Sequence, residues 1–188
     1  MWLQNTKLIM KSILMAMIAM AMITSCKKDE PSPVEDNENL TTVKLKFTES
    51  GTTSTFTFKD LDGTGGVAPT IDKISLKPNK TYTMVVEILD ETKKPVETIS
   101  DAIYDERDQH LFEYVVTPST ILSVTTTDKD TRGLPVGLTA SVKTNAVGTG
   151  KLQVVLHHQP PVNGKIVKDG TFKIGSIDFD GSFAVEVK

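Results

Sequence analysis

Three histidines and two aspartate–glycine turns hold most of the chemistry that this 188-residue chain could perform. His157 and His158 are adjacent in a stretch where Leu152, Val154 and Leu156 alternate with other residues. As strand neighbours their imidazoles would face opposite ways and would not easily share one ion. His110 could join one of them, with Asp105, Glu106 or Asp108, in a transition-metal or haem-contacting site. The spacing has no ligand signature of its own, and strand-end imidazoles satisfied by backbone or solvent are the plainer reading. Asp60-Leu61-Asp62-Gly63-Thr64-Gly65-Gly66 sets carboxylates at i and i+2 beside glycines, a geometry from which Ca2+ draws oxygens. The full calcium loop is missing, because Thr64 and Ile71 stand where a third and a closing ligand belong. Asp128-Lys129-Asp130-Thr131-Arg132-Gly133 is a similar half-pattern with Arg132 in a ligand position. Ordinary turn chemistry explains both loops, since Asp bonds its own backbone and Gly takes positive φ. No cofactor is therefore required, and Ca2+ at Asp60 and Asp62 or a transition metal at the histidines are the ions to test.

Catalytic patterns are absent from the sequence: it has no GxSxG elbow, HExxH pair or dinucleotide fingerprint. Gly148-Thr149-Gly150-Lys151 looks like a fragment of a phosphate-binding loop, but Asn145 replaces its first Gly and Leu152 its Ser/Thr. A hairpin turn accounts for it better. The expectation is a protein that is not an enzyme, with no catalytic residue to assign.

The one cysteine, Cys26, carries a chemistry of another kind. Lys7 and Lys11 precede an apolar run from Ile13 to Ile23. At ~1.5 Å per residue that run covers about 16 Å, against a hydrocarbon core of ~30 Å, so a cleaved export signal suits it better than a spanning helix. Ile23-Thr24-Ser25-Cys26 then resembles a bacterial lipobox, with an aliphatic residue three before the cysteine and small residues just ahead of it. That resemblance implies a diacylglyceryl thioether on Cys26, cleavage before it and acylation of the new amino group. Each buried CH2 contributes ~0.8 kcal/mol, so two or more acyl chains anchor stably where one does not. The alternative for a lone cysteine is a buried or stray thiol.

Lys27-Lys28-Asp29-Glu30-Pro31-Ser32-Pro33 and the acidic residues up to Asn39 have almost no apolar content and should form a tether. The fourteen residues 27–40 have a root-mean-square span of about 20 Å and a full reach near 45–50 Å. Lys27 is not the aspartate associated with inner-membrane retention, which implies the outer membrane. Lysines followed by acids resemble the surface-export tether of Bacteroidetes-type lipoproteins, so cell-surface display is expected, with a periplasm-facing anchor as the alternative.

Past residue 25 the chain keeps 19 bases and all 24 acids, a net charge of −5. That argues against a nucleic-acid partner, which would need a basic stripe. A single cysteine excludes an internal disulfide or a CxxC site. About 150 residues suit one domain that buries about two-thirds of its unfolded surface.

The elements that would position the histidines alternate with period two. Val43/Leu45/Phe47, Phe56/Phe58, Ile74/Leu76, Tyr82/Met84/Val86/Ile88, Phe112/Tyr114/Val116, Leu122/Val124, Leu138/Ala140/Val142, Leu152/Val154/Leu156 and Phe183/Val185/Val187 read as strands. Glu49-Ser50-Gly51-Thr52 reads as a hairpin turn. Ser100 to Gln109 is the best helix candidate, with Ser100 as cap and Ile99 and Ile103 facing inward. The expected fold is all-β: an antiparallel, immunoglobulin-like β-sandwich of about eight or nine strands. It covers residues 41–188, after a lipoprotein signal peptide at 1–25 and a lipidated, flexible tether at 26–40.

Phe58-Lys59-Asp60-Leu61-Asp62-Gly63-Thr64-Gly65-Gly66, Gln109-His110, Pro135-Val136-Gly137-Leu138 and Leu156-His157-His158-Gln159-Pro160 carry a resemblance that covers most of residues 40–188. On them the body resembles small Bacteroidetes-type outer-membrane lipoproteins sometimes labelled "type 1 periplasmic binding fold superfamily protein". The label names a two-lobed α/β fold nearly twice this length; the fold expected here follows the period-two alternation. The resemblance implies no assigned activity and no functional residue. The function expected is a lipid-anchored binding or interaction module, held to the membrane through Cys26 and meeting an outer-membrane receptor or surface ligand. The alternative is capture of a metal or metal chelate for such a receptor, through His110, His157 and His158. Loops 60–72, 100–110, 128–136 and 157–176 are the candidate contact surfaces.

Overall fold

Period-two alternation produces eleven strands among the residues that the computed structural model describes, which are 39–63 and 65–188. The expected signal peptide, Cys26, the tether through residue 38, and Thr64 lie outside the described residues. The strands are β1 (Thr42–Glu49), β2 (Thr52–Lys59), β3 (Thr70–Ile71), β4 (Ile74–Leu76), β5 (Thr81–Asp90), β6 (Glu97–Thr98), β7 (His110–Thr117), β8 (Leu122–Thr126), β9 (Thr139–Thr144), β10 (Gly148–His158) and β11 (Ser176–Val187). One helix, α1 (Ile99–Asp105), lies between β6 and β7.

They form two sheets. The larger runs β3-β2-β1-β5-β9-β8, with β6 added beside β5; the smaller runs β4-β11-β10-β7. Val43, Leu45, Phe47, Met84 and Ile88 of the larger sheet and Phe112, Leu152, Val154, Leu156 and Phe183 of the smaller share one hydrophobic cluster. Phe58 of β2 meets Phe179 of β11 edge to face, with ring centroids 5.1 Å apart. Each clustered side chain that is fully buried contributes roughly 1.5–3 kcal/mol relative to exposure. Alternate residues of β1 and β5 point outward, where Lys44 and Lys46 pair with Glu87 at 3.3 and 2.8 Å. The β1–β2 hairpin closes through Ser50 and Gly51, both at positive φ (49° and 80°), the backbone that a two-residue turn needs to match strand twist.

Four details differ from the sequence expectation. First, β4 runs parallel to β11, so the smaller sheet is mixed rather than antiparallel. Second, two-residue β3 and β6 raise the strand number above nine; they are too short to show a period and exist through their partners. Third, Gly148-Thr149-Gly150-Lys151 is not a hairpin turn. It opens β10, and β9 and β10 belong to different sheets. Gly150 lies so near β7 that a Cβ would stand 2.5 Å from the Thr117 carbonyl, which is why a glycine-rich stretch can be strand here. Fourth, the helix ends at Asp105, and Ser100 does not cap it. Thr98 holds the cap position without a side-chain bond, while Ser100 Oγ accepts the Ile88 N–H at 3.3 Å. Ile99 and Ile103 are buried as expected.

Candidate functional site

At one end of the smaller sheet β7 begins, β10 ends and β11 starts, so three chain segments leave the ladder together. Register places His158 directly opposite His110, with His157 opposite Leu111. His110 has the same parity as Phe112 and Tyr114, which pack against the core, so the pair sits at the rim of the inner face. Loops 106–109, 128–136 and 159–175 are tied together here. Lys168 Nζ donates to the Arg107 carbonyl at 2.8 Å and pairs with Asp130 at 3.2 Å. Thr131 donates through N–H and Oγ to Asp108 at 2.9 and 2.6 Å. The Gln159 N–H reaches the Gln109 carbonyl at 2.7 Å. Three of the four loops singled out in the sequence therefore meet at one place.

The rings of His110 and His158 stack with centroids 4.7 Å apart and planes 9° from parallel. His110 Nδ1 lies 3.1 Å from the Glu106 carbonyl. A carbonyl only accepts, so the proton is on Nδ1 and Nε2 of the neutral ring is a bare lone pair. That Nε2 faces Asp178 Oδ2 at 4.0 Å, and His158 Nδ1 faces the same oxygen at 3.8 Å. Ser176 Oγ donates to the other Asp178 oxygen at 3.4 Å. Burial pushes His110 down to about 4, helped by His158 and Lys168 and opposed by the bond to Glu106. At neutral pH the ring is therefore uncharged. His158 is partly exposed and Glu106 exposed. Glu106, His110 and His158 each offer one ligand atom, and the three atoms lie within 4.8 Å of one another.

His157 points elsewhere. Its Nε2 is 3.0 Å from Glu113 Oε2, and its ring packs on Phe172 with centroids 5.2 Å apart. The structure brings His110 and His158 together and gives His157 a separate carboxylate partner.

The aspartate loops are occupied by the chain itself. Asp60 Oδ1 accepts the Gly63 N–H at 2.9 Å and Asp62 Oδ2 accepts the Val67 N–H at 2.8 Å. A Cβ on Gly66 would meet the Asp62 carboxylate at 2.1 Å, so the glycine lets that side chain fold over its own loop. Asp128 accepts the Gly137 N–H at 2.8 Å. Asp130 accepts the N–H groups of Arg132 and Leu134 and holds the fully buried Lys168 ammonium. Burial works to raise Asp130, yet the Leu134 N–H, Lys168 and the Arg132 N–H outweigh it and hold the carboxyl below its usual range.

Sequence reasoning named Glu106 only among several acids near His110, and it missed Asp178 and Lys168. Asp178 could have been found by starting the last strand at Ile177, because β11 pairs His158 with Ser176. Lys168, in a loop of Gly and Asp, gives no sign that it will be buried. Buried Gln159 follows His158 and donates to the Thr171 and Ile174 carbonyls, holding the 160–175 loop against the site. Gly175 completes that closure: at φ 88° a Cβ there would stand 2.0 Å from the His158 carbonyl.

No family model, curated protein or solved structure matches this chain.

Proposed function

We propose that this chain is a lipid-anchored outer-membrane protein whose body is a non-catalytic binding module, displayed at the cell surface. The observation that carries the reading is Ile23-Thr24-Ser25-Cys26 directly behind a positively charged, apolar leader. The resemblance to small Bacteroidetes-type lipoproteins points the same way, and the acidic residues after Cys26 supply the reach.

The finer fold reading is immunoglobulin-like. The order β1-β5-β9-β8 facing β4-β11-β10-β7 follows the A-B-E-D and A′-G-F-C arrangement of that sandwich, including the parallel edge pair β4–β11. Such a body presents loops at its ends, and here three of them cluster around the histidines.

Replacing Cys26 with Ala tests the anchor: unprocessed precursor should accumulate and fatty-acid labelling should vanish. Normal labelling of the variant would refute the reading. Proteinase shaving of whole cells then separates surface display from a periplasm-facing anchor. A second reading, capture of a metal or metal chelate for an outer-membrane receptor, is favoured by one observation, the stacked His110–His158 pair with two carboxylates beside it.

A further inference from the structure

We propose that His110, His158 and Glu106, closed by Asp178, bind one divalent transition-metal ion of the zinc class. The proposal deepens the capture reading by naming the ion class and its ligands, and it does not depend on lipidation at Cys26.

Two acceptors face each other at this rim. With its proton committed to the Glu106 carbonyl, His110 Nε2 presents a lone pair to Asp178 Oδ2 at 4.0 Å. An ionised carboxylate is also acceptor-only. Their spacing leaves room for a cation between them. One metal ion with bonds of ~2.0–2.2 Å to each would bridge this gap once the two atoms draw together by about 0.7 Å, to tetrahedral spacing. His158 Nδ1 stands 3.8 Å from the same oxygen, so the second imidazole borders the same space. The bond to the Glu106 carbonyl also orients the His110 ring, as an outer hydrogen bond does for ligating histidines.

The donor set selects the ion. Imidazole suits Zn2+, Cu2+, Ni2+ and Co2+, whereas Ca2+ and Mg2+ want oxygens throughout. Lys168 does not cancel the site, because its ammonium is already paired with Asp130 at 3.2 Å. Two adjustments are needed. An imidazole binds an ion in its own plane, so one of the two parallel rings must tilt, and partly exposed His158 has room to do so. The 4.8 Å spread of the three ligand atoms must also contract toward the ~3.3 Å expected of tetrahedral neighbours. Exposed Glu106, just past the end of α1, can close that distance. The ion would lie at the rim, with positions left for water or for a partner's ligand.

The test uses the full chain carrying Cys26→Ser, so that the thiol does not compete. Zn2+ is titrated calorimetrically and Co2+ by its visible absorption, whose intensity reports four- or five-coordinate binding. One ion per chain should bind, and Ca2+ should not displace it. His158→Ala, Glu106→Gln and Asp178→Asn should each weaken binding by about tenfold or more. Asp60→Asn should leave it unchanged. Buried His110 is the risky position, so His158→Ala is the decisive variant. Its unfolding midpoint in chelator should stay close to that of the parent, and it should remain folded when it fails to bind. Zn2+ bound equally well by His158→Ala, no binding at about 100 µM metal (weaker than roughly −5.5 kcal/mol), or displacement by Ca2+ would each overturn the proposal. Any of these failures leaves lipid labelling at Cys26 untouched. A chain that binds zinc without supplying a receptor would end the capture role alone.

Discussion

The Asp128–Gly133 turn and the His110–His158 pair both gather cation-seeking atoms at the same end of the molecule, and they have opposite outcomes. In the turn, every attraction is answered from within. Asp130 receives two backbone N–H groups and the ammonium of Lys168, whose side chain is as fully buried as its own. In the pair, an acceptor nitrogen faces an acceptor oxygen at 4.0 Å. The sequence pattern that looks more like a chelating loop is the one already filled by the chain's own lysine. The scattered histidines, with no ligand spacing, are the ones left with coordinating atoms to offer. Oxygen-rich turns fold by satisfying themselves, whereas strand register brings the two imidazoles together, and the Glu106 carbonyl takes one nitrogen of His110 while the other faces Asp178.

That contrast can be broken most forcefully from the loop side. Lys168→Met should remove the internal cation and leave the Asp130 carboxylate buried without it, at a cost of ~3–5 kcal/mol. Chemical denaturation would measure the loss, and adding Asp130→Asn should recover much of it. A single variant nearly as stable as the parent would mean that the turn does not rely on its lysine.

From the histidine side the lever is pH. Unfolded His110 titrates near its usual 6.5, but the folded ring stays neutral until about 4. As pH falls through that window the unfolded chain takes up a proton that the folded chain refuses. Stability present above about pH 6.5 is therefore lost toward pH 4, by up to about 3 kcal/mol for this one group. In His110→Gln the glutamine amide does not titrate, so urea midpoints should decline less between those limits than in the parent. Identical slopes would mean that His110 charges freely at the rim.

The smallest effect belongs to the first aspartate turn. Asp62→Asn keeps an oxygen for the Val67 N–H and should cost less than about 1 kcal/mol. Calcium should leave the Tm of parent and variant alike. A calcium-dependent rise in the parent that Asp62→Asn abolishes would place this turn with the histidines rather than with Asp130.

Much of the fold was legible where the alternation was long. Val43 to Phe47, Tyr82 to Ile88 and Leu152 to Leu156 emerged as strands with the alternating apolar residues buried, and Ser50-Gly51 as the turn. Legibility failed where a strand owes its existence to a partner. Gly148-Thr149-Gly150 has no apolar face to betray it, and Ile177 is exposed, so the opening residues of β10 and β11 were hidden. At the candidate site, the parity of His157 and His158 predicted that they would part, and they do. One took Glu113 and the other His110.

The sequence by itself determined a β-rich body and the acidic balance, and it holds the local pattern on which the proposed lipid anchor at Cys26 rests. It did so because strand period and lipobox spacing are local properties, readable within a few residues. Only the tertiary structure decided that His110 meets His158, that Asp178 faces both and that Lys168 closes the Asp130 turn. Those pairings join residues 20 to 68 positions apart, through register and loop packing that no local window contains.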